Sequence, residues 1–228
     1  MIKLVVCDFD DTLVLERSFI ESGYVACSSF LSEKTDIKPE KIKEVFWRKF
    51  EQSHSNVFDT SVAELLERKN DKLVQELVDI YRFHIPQISY CPDVKEFLQE
   101  LKKRNLFSAI VTDGNSQTQN NKLNASGAVG DFDKIVITSD FGVDWTKPSI
   151  KPFKFLKDFF NVAYEQILYI ADNPKKDFAM RASIPICTAR IVRNGAIYAD
   201  EPYLDNVREQ VRISTLSEVW TTQFFKDC

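Results

Sequence analysis

Leu4-Val5-Val6-Cys7 runs directly into Asp8-Phe9-Asp10-Asp11-Thr12-Leu13. A short apolar run rich in β-branched residues reads as a strand buried on both faces, the kind found inside parallel sheets. Its abrupt end in three carboxylates places charge at the strand's carboxyl terminus. Two later apolar runs end the same way: Ala109-Ile110-Val111 in Thr112-Asp113, and Tyr169-Ile170-Ala171 in Asp172. A single polar residue after a strand is commonly a loop or cap residue. Three of them in one parallel sheet gather at its carboxyl edge, where open α/β folds bind ligands.

The pattern outward from these runs predicts the rest of the fold. Residues 15–86 show helical periodicity throughout, with Ile42, Val45, Phe46 and Phe50 on one face and Leu73, Val74, Leu77, Val78 and Tyr81 on another. Lys38-Pro39-Glu40 reads as a helix start. From Pro92 onward, helical and apolar segments alternate. Strands are expected at 106–111, 134–138, 167–171, 186–192 and 211–213, and helices at 94–101, 150–161, 175–182 and 215–225. Strands separated by helices imply right-handed βαβ units. The expected class is therefore α/β, a Rossmann-like parallel sheet flanked by helices over 1–14 and 87–228. An all-helical domain, 15–86, is inserted after the first strand.

Composition bounds the partners. The 228 residues include 30 Lys and Arg against 34 Asp and Glu, a net charge of −4, with 44% hydrophobic residues. A chain of this size buries a core without disulfides or a structural metal. Mild acidity argues against nucleic acid or an anionic membrane as the main partner. Cys7, Cys27, Cys91, Cys187 and Cys228 form no Cys-x-x-Cys pair, and neither His54 nor His84 stands at zinc-ligand spacing from them. The thiols read as small apolar residues of a reducing, cytoplasmic compartment. The opening apolar run is too short for a signal peptide, and no stretch approaches the roughly 18 apolar residues of a membrane span.

The clustered charge has a chemical consequence. Asp8, Asp10 and Asp172 at one dehydrated edge repel one another, and a hard divalent cation on oxygen ligands relieves that repulsion. Few carboxylates with room for water and phosphate suit Mg²⁺ better than Ca²⁺. A cation beside a carboxylate, a Thr and a Lys is the equipment of phosphoryl transfer.

These motifs, in this order and over nearly the whole chain, resemble the haloacid dehalogenase superfamily, most of whose members are phosphatases acting through an aspartyl-phosphate. The resemblance implies that Asp8 is the nucleophile and a Mg²⁺ ligand. It makes Asp10 the general acid and base, with its backbone carbonyl on the metal. Thr112, with Asp113 beside it, falls in the phosphate-binding motif, although Asn or Ser is frequent at the Asp113 position. Of the two Lys-Pro pairs, Lys147 lies six residues before Phe153 and 25 before Asp172, as in the family; Lys151 fits neither spacing. Asp172 then ligates Mg²⁺, and Asp177 stands behind it or caps the next helix. Ala171 replaces a common Gly. Asp10 argues against dehalogenation, because a halide leaves without a proton whereas an alkoxide needs one.

The helical domain occupies the place of the family's cap, which implies a small phosphorylated metabolite such as a nucleotide or sugar phosphate. Glu16, Arg17, Ser18 and Tyr24 fall at its mouth, either as leaving-group contacts or as hinge and solvated-face residues. His54 reads as a surface or packing residue and His84 as part of the returning hinge. Two alternatives stand beside a phosphatase: a sugar phosphomutase of the same superfamily, and a non-catalytic phospho-ligand binding or regulatory domain. The sequence does not specify the oligomeric state.

Overall fold

The computed structural model describes residues 1–225, so Cys228 lies outside the described residues. The chain forms two compact units, one of residues 1–17 and 88–228 and the other of 18–87.

The first unit is built on six parallel strands: β1 (Leu4–Cys7), β2 (Phe107–Thr112), β3 (Lys134–Ile137), β4 (Ile167–Ala171), β5 (Cys187–Ile191) and β6 (Val211–Ile213), in the order β3-β2-β1-β4-β5-β6. This is the doubly wound α/β arrangement expected from the sequence. Each strand presents alternate residues to opposite faces, so the central ones must be apolar on both. Val5 and Cys7 of β1 join Ile110, Leu168, Ile170, Ala189 and Ile191 in one core cluster. Leu4 and Val6 join Ala109, Val111, Val136, Ile167 and Tyr169 in the other. The first cluster is covered by α5 (Val94–Lys103), which buries Val94, Phe97, Leu98 and Leu101. The second is covered by α8 (Lys151–Phe160) through Phe153 and Leu156.

The second unit contains most of α1 (Glu16–Glu33) and all of α2 (Pro39–Gln52), α3 (Val57–Leu66) and α4 (Asp71–Phe83). Pro39 opens α2, and the Asn70 side chain caps α4 by accepting the Leu73 N–H at 3.1 Å. Its core is aromatic: Phe58 packs edge-on against Phe46 and Tyr81, with ring centroids 5.2 and 5.6 Å away. Among the described residues no helix is long and apolar enough to cross a membrane.

Three local expectations need correction. Residues 175–182 form turns and a 3-10 segment, Ala179–Ala182, because Pro174 and the side chains of Asn173 and Asp177 tie the chain into tight loops. Residues 216–221 are likewise 3-10 rather than the start of a longer helix. The structure also has α6 (Ser116–Ser126) and the short α7 (Ala128–Asp131) where no helix is expected. The α6 sequence, Ser-Gln-Thr-Gln-Asn-Asn-Lys-Leu-Asn-Ala-Ser, carries no apolar stripe; its buried residues are Gln119, Lys122 and Leu123.

Candidate active site

Strand order reverses between β1 and β4, since β1 leads outward through β2 and β3 while β4 leads through β5 and β6. Asp8 follows β1 and Asp172 follows β4. Register brings them together, because Cys7 pairs with Ile170 and the Asp8 N–H donates to the Ile170 carbonyl at 2.8 Å. Asp177 joins them from the loop after β4. Its backbone N–H donates to the Asn173 carbonyl, and its Oδ2 accepts the Asn173 N–H, each at 3.0 Å. Carboxylate oxygens of Asp8, Asp172 and Asp177 all lie within 4.8 Å of one another, and all three residues are buried.

Lys147 enters this group from the loop before α8. Its Nζ lies 2.7 Å from Asp8 Oδ1, 2.8 Å from Asp177 Oδ1 and 3.1 Å from the Tyr169 hydroxyl, which itself donates to Asp177 Oδ1 at 2.9 Å. The other candidate lysine, Lys151, lies on the surface and pairs with Asp144. One buried ammonium does not neutralise three carboxylates. Burial pushes Asp8 up to about 6, against the opposing charge of Lys147. Burial, with the charges of Asp8 and Asp177, drives Asp172 well above the carboxylate range. Burial would also raise Asp177, but Lys147 and Lys176 outweigh it and hold that group low. Asp172 Oδ2 is buried without a hydrogen-bond partner, a costly state unless something else binds it. An unpartnered carboxylate oxygen beside a second carboxylate, with no His or Cys among the donors, fits a hard divalent cation.

Thr112 ends β2, the other neighbour of β1, and its Oγ1 accepts a hydrogen bond from the Gln119 side-chain amide. The Thr112 hydroxyl hydrogen is then free to donate. Asp113 faces the Lys147 loop: its Oδ1 accepts from the Thr138 hydroxyl at 2.7 Å and from the Lys147 N–H at 3.2 Å. It braces the segment that carries Lys147.

Asp10 lies outside the carboxylate cluster. Its Oδ1 is 2.9 Å from Lys122 Nζ and its Oδ2 accepts from Gln119 Nε2 at 3.0 Å. Lys122 also reaches Glu16 at 2.6 Å. Burial alone would raise Asp10, but the Lys122 ammonium outweighs it and holds the group low. Burial and the Asp10 charge hold Glu16 well above its ordinary range, and Lys122 Nζ bridges the two carboxyls. Asp11 organises the loop: Oδ1 accepts the Glu16 N–H at 2.9 Å and Oδ2 the Ile197 N–H at 2.8 Å.

Sequence reasoning passes over Tyr169, Gln119 and Lys122. Tyr169 sits in an apolar strand and reads as core. Gln119 and Lys122 sit on a helix with no periodic signal. One trace is Gly114, whose φ is +137° and whose added Cβ would meet Gln119 Cγ at 3.2 Å. Gly114→Ala is expected to destabilise the protein by about 1–3 kcal/mol, read from thermal melts.

Fold and site together define a doubly wound α/β protein with a carboxylate–lysine centre at its switch point. A sequence model of the haloacid dehalogenase-like hydrolases matches residues 5–188, and the chain belongs to that family. It is 25% identical over 198 residues to the glyceraldehyde 3-phosphate phosphatase of Methanocaldococcus jannaschii, covering 85% of this chain and 86% of that protein. The enzyme of the same name from Methanopyrus kandleri is 28% identical over 216 residues, covering 90% of each. The crystal structure of a haloacid dehalogenase-type phosphatase from Thermococcus onnurineus superposes with a TM-score of 0.62 at 23% identity, covering 96% of this chain and 97% of that one. That last likeness is one of fold.

Proposed function

We propose that this hydrolase is a Mg²⁺-dependent phosphatase that cleaves a small phosphomonoester through an aspartyl-phosphate on Asp8. The observation that carries the reading is Lys147 Nζ at 2.7 Å from Asp8 Oδ1, beside the unpartnered Asp172 Oδ2. A buried carboxylate, a buried ammonium and an unpartnered carboxylate oxygen meet there. The phosphatase names of its relatives support the same chemistry.

Asp8, Asp172 and the Asp10 backbone carbonyl would hold the metal, with Asp177 behind them fixing Lys147. Bound Mg²⁺ supplies positive charge that lets an anionic phosphate approach anionic carboxylates. The Thr112 hydroxyl donates to a phosphate oxygen, and Lys147 balances charge on the same group. An Asp8 oxygen attacks phosphorus as the phosphorus–alcohol oxygen bond breaks, and Asp10 gives its proton to the departing oxygen. Glu16, whose carboxyl is held well above its ordinary range and which shares Lys122 with Asp10, supplies Asp10 with that proton. Asp10, now a carboxylate, takes a proton from water. The water oxygen bonds to phosphorus, the Asp8–phosphorus bond breaks, and inorganic phosphate leaves with Asp8 restored.

The helical unit, 18–87, serves as the cap that selects the substrate. Its predicted position between strand and core sequence fits a small metabolite rather than a phosphoprotein. Free thiols at Cys7, Cys27, Cys91 and Cys187 support a reducing cytoplasmic setting.

Phosphate release from a panel of phosphorylated metabolites with Mg²⁺ tests the reading. Release from at least one three-carbon, sugar or nucleoside phosphate, abolished by EDTA and restored by Mg²⁺, is the expected result. A folded, Mg²⁺-loaded protein that releases phosphate from none of them refutes it. Recovery of an isomeric sugar phosphate in place of free phosphate would identify a mutase.

A further inference from the structure

Asp10 is held at both carboxylate oxygens by donors from one helix. Lys122 Nζ takes Oδ1 at 2.9 Å, and Gln119 Nε2 takes Oδ2 at 3.0 Å. The two donors lie three residues apart, one turn of α6. Each carries a second bond that fixes it in turn. The other hydrogen of the Gln119 amide goes to Thr112 Oγ1, and Lys122 also binds Glu16 Oε2 at 2.6 Å. Gln119 and Lys122 are both buried. Gly114 leaves the space against which the Gln119 side chain packs.

These contacts exceed what folding requires of α6. A helix that only covered the sheet would bury an apolar stripe, because a buried lysine and a buried amide must both find partners. This helix buries two polar side chains and aims both at one carboxylate.

We infer that Gln119 and Lys122 are positioning residues that fix the plane of the Asp10 carboxyl, and that Gln119 ties this orientation to the Thr112 hydroxyl. The inference rests on the phosphatase reading above. With one donor on each oxygen, one lone pair per oxygen remains for the proton it transfers, and the carboxyl cannot rotate away from the leaving group. Gln119 sets the phosphate-binding hydroxyl and the acid in register, so that both meet the same substrate. A mispositioned acid costs most where the leaving oxygen is most basic, because such an alcohol departs only with a proton.

The test compares kcat/KM for 4-nitrophenyl phosphate and phenyl phosphate in the native protein, Lys122→Met, Gln119→Leu, Asp10→Asn and Asp8→Asn. This parameter reports only the steps up to departure of the phenol. Lys122→Met and Gln119→Leu are expected to lose about 10–100-fold on phenyl phosphate. On 4-nitrophenyl phosphate, whose leaving group needs little protonation, they should lose less than about 5-fold. Asp10→Asn should show the same skew, only larger. Where Lys122→Met does not fold, Gln119→Leu alone decides, since it removes no charge. Equal losses on both esters, or no loss on either, would overturn the positioning role while native turnover stands. Native protein inactive on both esters, or Asp8→Asn as active as native, would instead bring down the phosphatase reading, and this inference with it.

Discussion

Asp8→Asn is expected to lower phosphate release by at least about 10⁴-fold while leaving the protein folded and no less stable. Asp8 is buried and bonded to Lys147 through Oδ1 at 2.7 Å. Asn preserves the size of the side chain and an oxygen for Lys147, but a neutral amide does not displace an alkoxide from phosphorus. Lys147 keeps its second carboxylate, Asp177, at 2.8 Å, so its charge is not stranded. The substitution also removes one of three crowded negative charges, which favours the fold. Phosphate release and a thermal melt on the same preparation check both halves. A variant that keeps more than about 1% of native turnover would remove Asp8 from the nucleophile's place, because loss of a covalent nucleophile normally costs far more.

The sheet is legible in the sequence because buried parallel strands have no other way to be written. Ile167 to Ala171 is an unbroken apolar run, and β4 spans those residues. The strands expected at 106–111, 134–138 and 186–192 fall within one residue of β2, β3 and β5 at both bounds. Asp8, Thr112 and Asp172 are readable for the same reason: each ends such a run, and a parallel sheet brings run ends to one edge. Lys147 is not readable from physics alone, since two Lys-Pro pairs compete, and only family spacing separates them.

What supports Asp10 is not legible. Periodicity reports apolar faces, and α6 turns Gln119 and Lys122 inward instead. Their burial makes sense only once Asp10 is known to lie opposite, 109 residues from Gln119 and 112 from Lys122, with Glu16 106 residues from Lys122. The same holds for Asp113, which sequence reasoning groups with phosphate binding and whose Oδ1 faces Thr138 and the Lys147 backbone. Tyr169 is hidden by its own chemistry: the ring fills the core, and only the hydroxyl reaches Lys147 and Asp177.

Asp172→Asn is expected to abolish turnover and, at pH 7.5 in EDTA, to stabilise the protein by about 1–3 kcal/mol. Asp172 sits well above the carboxylate range through burial and through the charges of Asp8 and Asp177, and Asp8 is pushed up to about 6 by burial. A raised carboxyl holds its proton in the folded chain at pH values where the unfolded chain has lost it. Its contribution is thus fully present below the unfolded pKa of about 4 and is lost as pH climbs through the folded value. Asp177 is shifted the other way, so its contribution is lost only as pH falls below the unfolded pKa. Above the unfolded pKa of about 4 the raised carboxyls, Asp172 and Glu16 with Asp8, decide the sign, and native protein in EDTA loses stability as pH rises from there. Mg²⁺ at about 100 times its Kd restores about 2.7 kcal/mol. For a chain of this length that is roughly 5–10 °C in Tm, with a larger shift at pH 7.5 than at pH 5. Without the Asp172 carboxylate, its share of that destabilisation and most of the Mg²⁺ response disappear, while the shares of Asp8 and Glu16 remain. Melts at the two pH values, with EDTA or Mg²⁺, measure this directly. An Asp172→Asn protein that still gains the native increment from Mg²⁺ would mean that the cation binds elsewhere, and that the unpartnered Asp172 Oδ2 is not its ligand.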